Sequence, residues 1–234
     1  MGRLRRLLEL RRALALLTAA CMLAALALPI WRIVLRAPQY PGRDLPVTAY
    51  AYPRLGGEYE EVAALNYYIG FHYPDPVFVE PNYEVADAAL ATPEWVAFPA
   101  VLVVLAVLAG VAALSAASTI ARRLKIAFVG TLVVLGTMIL WAQLRLYQAG
   151  HNLDPDAPMA GVDGFTPPLL GPYEVANISG FSWIAAGGYV IAAGVVFLAV
   201  AYRCRNGDAT ILDVPAIAES RVERLRERVA GGAV

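Results

Sequence analysis

ALALLTAACMLAALALPIWRIVL, residues 13–35, decides the fold class: it is uncharged except for Arg32, follows five arginines and carries a tryptophan near its end. A helix rises ~1.5 Å per residue and needs ~20 apolar residues to cross ~30 Å of hydrocarbon, so the stretch is long enough for one crossing. Three similar runs follow at 96–117, 126–144 and 181–202. Trp31 closes the first run, Trp95 opens the second, Trp141 closes the third and Trp183 opens the fourth. A chain that crosses a bilayer four times, with one aromatic girdle on a single side, produces that alternation.

The opposite ends carry the basic residues. Arg3, Arg5, Arg6, Arg11 and Arg12 precede the first run, Arg122, Arg123 and Lys125 lie between the second and third, and Arg203 and Arg205 follow the fourth. Lysine and arginine bias sets orientation, which predicts an integral membrane protein with both termini cytoplasmic. The formal net charge of +0 hides this polarity: 14 of the 19 basic residues fall on the expected inner side and 13 of the 19 acids on the outer.

The reading divides the chain into a basic N-terminus with the first helix (1–35), a first outer segment (36–95), and the second and third helices with their short cytoplasmic loop (96–144). A second outer segment (145–180), a fourth helix (181–202) and a cytoplasmic tail (203–234) complete it. The expected fold class is an all-α membrane protein: a four-transmembrane-helix bundle with a small irregular α/β extracytoplasmic cap built from two loops. A cleaved signal peptide is the alternative for the first run, with Ala25-Leu26-Ala27 as its triplet, but the apolar sequence runs on through Leu35 and favours an uncleaved span.

Spans two to four hold no ionisable side chain between their ends; their polar residues are Ser115, Thr131, Thr137, Gln143 and Ser182. Proton and ion pathways need intramembrane charges, so a pump or ion-coupled transporter is disfavoured. No span contains a histidine, which removes the usual haem ligand. Ala106 with Gly110, and Gly188 with Ala192, have the spacing of close helix contacts. Cys21 and Cys204 fall outside the outer segments, so no thiolate metal site is expected there.

In the first outer segment VTAYAY (47–52) alternates as a strand does, Gly56-Gly57 reads as a turn, and Glu58 to Ile69 reads as a short helix capped by Gly70. FHYPDPVFVEP (71–81) is extended by its prolines, and Asn82 could cap a second short helix before Pro93. The second segment, with five prolines, reads as an irregular loop packed on the first. His72 beside Asp75, and His151 with Asp154 and Met159, form the candidate site: imidazole with thioether suits reduced copper, and imidazole with carboxylate suits zinc or oxidised copper. The same histidines and aspartates also read as loop organisers, since aspartate before proline commonly opens a turn. No nucleophile motif or phosphate-binding glycine loop is present, so an enzyme is not the expectation. In the tail, Ala218, Val222, Leu225 and Val229 share a face of a basic helix suited to the anionic inner leaflet, and nothing points to nucleic acid.

The motifs APQYP (37–41), LNYYIG (65–70), GHNLDPDAP (150–158), PPLLG (167–171) and SWIAAGGY (182–189) resemble a family of small uncharacterised four-span membrane proteins often encoded with nitrous-oxide reductase maturation genes. In that family the LNYYIG region usually has His in the place of Tyr67 and Met in the place of Phe71; this chain has neither, although His72 is adjacent. The resemblance implies an accessory role in copper supply to, or assembly of, an extracytoplasmic copper enzyme. The expected function is therefore an integral membrane accessory protein with an acidic outer cap. Its metal ligands would be His72, His151, Asp154 and Met159, its cofactor copper if any, and its partners the bilayer and another membrane or extracytoplasmic protein. The alternative is a structural subunit or anchor of a larger membrane complex with no ligand of its own.

Overall fold

Residues 8–71, 74–75, 78–79, 83–84, 90–159, 161–207, 209–213 and 219 are described by the structure, a computed structural model. The main elements in chain order are α1 (Leu10–Ala24) with a following 3-10 turn (Ala25–Ala27), β1 (Pro29–Arg36), β2 (Leu45–Tyr50), β3 (Leu55–Gly57) and α2 (Tyr59–Ile69). Four two-residue strands follow, β4 (Pro74–Asp75), β5 (Phe78–Val79), β6 (Tyr83–Glu84) and β7 (Leu90–Ala91). Then come α3 (Pro93–Leu114), α4 (Ile120–His151), β8 (Gly171–Val175), β9 (Ile178–Ile184) and α5 (Ala186–Arg203). Among the described residues four helices are long and apolar enough to cross a membrane: Leu10–Ala27, Pro93–Leu114, Ile120–His151 and Ala186–Arg203.

The first of these corrects the expected span over 13–35. A residue before proline is pushed out of the helical region, and Leu28, ahead of Pro29, is extended at φ −114° and ψ 148°. The sequence beyond alternates and is rich in β-branched residues, so it forms β1. Ile33 and Leu35 are buried on one face, whereas Arg32 and Arg36 face outward. The 18 residues left to the helix still measure ~27 Å. The expected span at 181–202 is shortened in the same way, because Phe181, Ser182 and Trp183 belong to β9.

Five strands form one antiparallel sheet in the order β3-β2-β1-β9-β8. Strand β1 is its centre: Ile33 sits opposite Val47 on one side and Ser182 on the other. The second outer segment is thus no simple loop, since β8 and β9 make a hairpin turning at Ala176-Asn177, where Ala176 takes φ +52°. Gly56 and Gly57, expected as a turn, lie within β3. Near the expected second short helix the described residues are the strands β6 and β7; Asn82 lies outside the described residues, as does the tail helix apart from Glu219.

Helix α2 forms almost where the sequence places it. Val62, Leu65 and Ile69 are buried against Ile33, Leu35, Val47, Leu55, Val175 and Ile178, and each such side chain contributes ~1.5–3 kcal/mol. Gly70 ends the helix at φ +76°, the left-handed conformation that glycine adopts without strain.

In the bundle α1 lies between α3 and α5, and α4 packs on α3 and α5. Close approach depends on α5: a Cβ on Gly188 would stand 2.6 Å from the Ile30 carbonyl oxygen, and one on Gly194 3.0 Å from Cys21 Cβ. Ala106 is buried against the bundle core as expected, but a Cβ on Gly110 would meet nothing and Ala192 is exposed.

Two N-terminal arginines are buried among helix ends. Arg12 Nη1 donates to the carbonyls of Ala113 (2.6 Å) and Ser115 (2.7 Å) at the end of α3, and Arg11 Nη1 to the carbonyl of Arg205 (2.8 Å) beyond α5. Unpaired carbonyls and the negative dipole end make a helix C-terminus a favourable place for a cation. Glu9 bonds both guanidiniums at 2.9 Å. Burial pushes its carboxyl up, but the two arginines outweigh that and hold it below the usual range. Replacing Arg12 with alanine leaves carbonyls unpaired and unbalances Glu9, an expected loss of ~2–4 kcal/mol. Thermal unfolding in detergent should show a clearly lower midpoint, with Arg12→Lys losing less; equal midpoints for wild type and Arg12→Ala would contradict the capping role.

Candidate functional site

The four candidate ligands are placed unevenly. His72 lies outside the described residues. His151 ends α4 rather than sitting in a loop; its ring is exposed and stacks on Tyr147 at 4.1 Å between centroids. Its Nδ1 is 3.0 Å from the Tyr147 carbonyl oxygen, and a carbonyl only accepts, so Nδ1 is the donor and Nε2 is the ring nitrogen left for another partner. Asp154 uses one oxygen to accept from the Asp156 amide at 2.9 Å, a local turn, while its own amide donates to the Gly70 carbonyl at 2.9 Å. Met159 is half-buried against the α2–sheet core, and its amide donates to the Tyr68 carbonyl at 3.1 Å. Residues 154–159 therefore dock on LNYYIG (65–70), joining the two outer segments. His151 and Asp154 supply an incomplete ligand set. Among the described residues no three His, Cys, Asp or Glu side chains come together.

A second feature is larger. Between the buried face of the sheet, α2, and the adjoining ends of α3, α4 and α5 lies an almost wholly apolar chamber of about 480 Å³. Its walls include Trp31, Ile33 and Leu35 of β1, Leu65 and Ile69 of α2, Trp95 and Phe98 of α3, and Ile184 and Ile191 at the α5 side. Tryptophans fasten these walls together: Trp31 Nε1 donates to the Leu169 carbonyl at 2.8 Å, and Trp95 Nε1 to the Tyr50 carbonyl at 2.9 Å. Gln143 of α4 holds the PPLLG segment from the other side, donating to the Pro167 carbonyl and accepting from the Leu169 amide, each at 3.1 Å.

Helix α4 explains the chamber's existence. In its first half Ile120, Leu124, Ala127 and Thr131 are buried at helical spacing against the bundle. In its second half Leu135, Met138, Ala142 and Leu146 continue that stripe but are only half-buried, because they face the chamber. Ile139 lines the chamber while remaining 60 % exposed, so the space opens beside it along the helix flank. A sealed void of 480 Å³ would cost on the order of 10 kcal/mol, as much as a domain's whole net stability. An apolar space of that size is tenable when it communicates with hydrocarbon.

The chamber's polar fittings are few. Asn66 lines it on the buried face of α2, is only 9 % exposed, and its side-chain amide bonds to no described residue. Tyr173 closes over Gly180, where a Cβ would sit 2.4 Å from its ring, and burial pushes its phenol well up, so it stays protonated. Ser182, on the same sheet face as Ile178 and Ile184, is fully buried behind the lining rather than part of it, and its hydroxyl has no partner. At the rim Arg145 of α4 pairs with Glu94 of α3, Nε to Oε1 at 2.6 Å, with 25 % and 19 % of the two side chains exposed.

The expectations from sequence missed this chamber. Signals were there: Asn66 interrupts an otherwise apolar face, and Glu94 and Arg145 sit at one level with opposite charge. No family model matches the chain, and neither does any curated protein. The rim pair should tie α3 to α4: Glu94→Gln and Arg145→Gln are each expected to destabilise by ~1–3 kcal/mol, and the double variant by clearly less than their sum. A double-mutant cycle on unfolding in detergent reads this directly, and additive losses would rule the coupling out.

Proposed function

We propose that the chain is an integral membrane accessory protein with both termini cytoplasmic, whose sheet-bearing cap works on the extracytoplasmic side as a platform for another membrane or extracytoplasmic protein. The observation that carries this is how the cap is attached. Strand β1 begins two residues after the first membrane-length helix ends, and β9 runs into α5 across Ala185, whose amide donates to the Ile30 carbonyl at 3.0 Å. A cap held from two helices in this way has a fixed orientation. It also presents Tyr67 at 75 % and Tyr68 at 41 % exposure on one helix, aromatic side chains of the type enriched at protein interfaces. The one-sided basic residues described above support the orientation.

Copper handling for an extracytoplasmic copper enzyme such as nitrous-oxide reductase is the specific form of this role, suggested by the family resemblance. His151 favours it: metal-bound histidines commonly donate their second ring nitrogen to a carbonyl, as Nδ1 does here to Tyr147. The reading requires His72 to complete the set with His151. Competition with chelators for reduced and oxidised copper, on the detergent-purified chain, is expected to show stoichiometric binding that His151→Ala and His72→Ala each abolish. Binding no tighter than micromolar, or unchanged in both variants, would retire the copper role and leave the anchor, to be tested by cross-linking from Tyr67 and Tyr68.

A further inference from the structure

We infer that the chamber between cap and bundle is a binding site for an uncharged lipid whose apolar body fills the space and whose carbonyl or hydroxyl oxygen meets the Asn66 amide. Three observations lead there independently of the copper reading. The walls are apolar on all sides, contributed by the sheet, α2, α3, α4 and α5. The space opens on the flank of α4 beside Ile139, on a helix apolar and long enough to cross a membrane, so a ligand would enter from the bilayer rather than from water. Asn66 then places a polar group that is nine-tenths buried and bonded to no described residue in an otherwise apolar wall.

The Asn66 amide lines the chamber and is not sealed off within the protein, so it is free to bond to an oxygen on the occupant. That oxygen belongs to a neutral group. An amide carries no charge to balance an anion, and the one guanidinium at the rim, Arg145, is already paired with Glu94. Tyr173, protonated, lies on the adjoining sheet face and offers a further neutral donor. A volume of about 480 Å³ suits a ring with a short isoprenoid chain, or the glycerol-ester portion of a lipid with part of one acyl chain. These sources share the chemistry of an oxygen on a hydrocarbon body.

The test uses the chain in detergent, titrated with a short-chain isoprenoid quinone while the tryptophan fluorescence, to which Trp31 and Trp95 of the chamber wall contribute, is followed. A short-chain diacylglycerol serves as competitor. Two variants accompany the wild type: Ala142→Phe, which fills the chamber from α4 without adding a fluorophore of the tryptophan class, and Asn66→Leu, which removes the amide at similar volume. Saturable quenching, weakened at least tenfold by Ala142→Phe and several-fold by Asn66→Leu, is the expected result. If diacylglycerol displaces the quinone, or alone shifts the tryptophan emission saturably, the site is one for lipid esters as well; if it does neither, quinones are the natural class. Quenching that never saturates, or that is identical in wild type and both correctly folded variants, overturns the proposal, whatever the copper titration shows.

Discussion

The pairing of β1 with β2 on one side and β9 on the other is the constraint from which the rest follows. Because β1 sits at the centre of the sheet, the segment between the first two long helices, through β2, and the segment between the last two, through β9, must share one hydrogen-bonded layer. That layer cannot drift from the helices, since β1 follows directly on the first helix and β9 leads directly into the last. Helix α1 consequently packs closely on α5, with Gly187 and Gly188 letting α5 approach the carbonyls of Leu28, Pro29 and Ile30.

The same constraint opens the chamber. With α1 ending at Ala24 and the sheet beginning at Pro29, the second half of α4 faces the chamber, whose other walls are the sheet, α2, α3 and α5. Its 32 residues measure ~48 Å, well beyond the ~30 Å of a hydrocarbon core, so α4 serves as a bundle helix at one end and a wall of the cap at the other. At the opposite end of the bundle Arg11, Arg12 and Glu9 tie together the ends of α3 and α5. The molecule is thus fastened by hydrogen-bonded strands at one end and capped carbonyls at the other.

Much of this was legible in the sequence. Four apolar runs gave four membrane-length helices, and Val62, Leu65 and Ile69 with Gly70 gave α2. The sheet was hidden because the apolar alternation of β1 and β9 abuts the helical runs, so hydropathy alone merged strand and span. Pro29 and the β-branched residues around it were the local signal, outweighed by the length a span needs. Trp31 and Trp95 were read as girdle residues, yet each spends its indole N–H on a cap carbonyl, a tertiary contact that no periodicity carries. The candidate ligands divided for a related reason: Asp154 opens a turn and Met159 fills a core, roles set by the docking of 154–159 on α2, whereas His151 stays exposed.

Cross-linking of engineered cysteine pairs between β1 and β9, in membranes and with Cys21 and Cys204 replaced, tests the central claim most directly. Arg32 with Trp183, Val34 with Phe181 and Arg36 with Ser179 are opposed in register and lie on one face of the sheet. Efficient disulfide formation in all three, with poor yields when one partner is moved by a single residue, is the predicted result. Cross-linking that instead recurs every three or four residues along 29–36 would contradict it, returning that stretch to the first transmembrane helix and removing the chamber's principal wall.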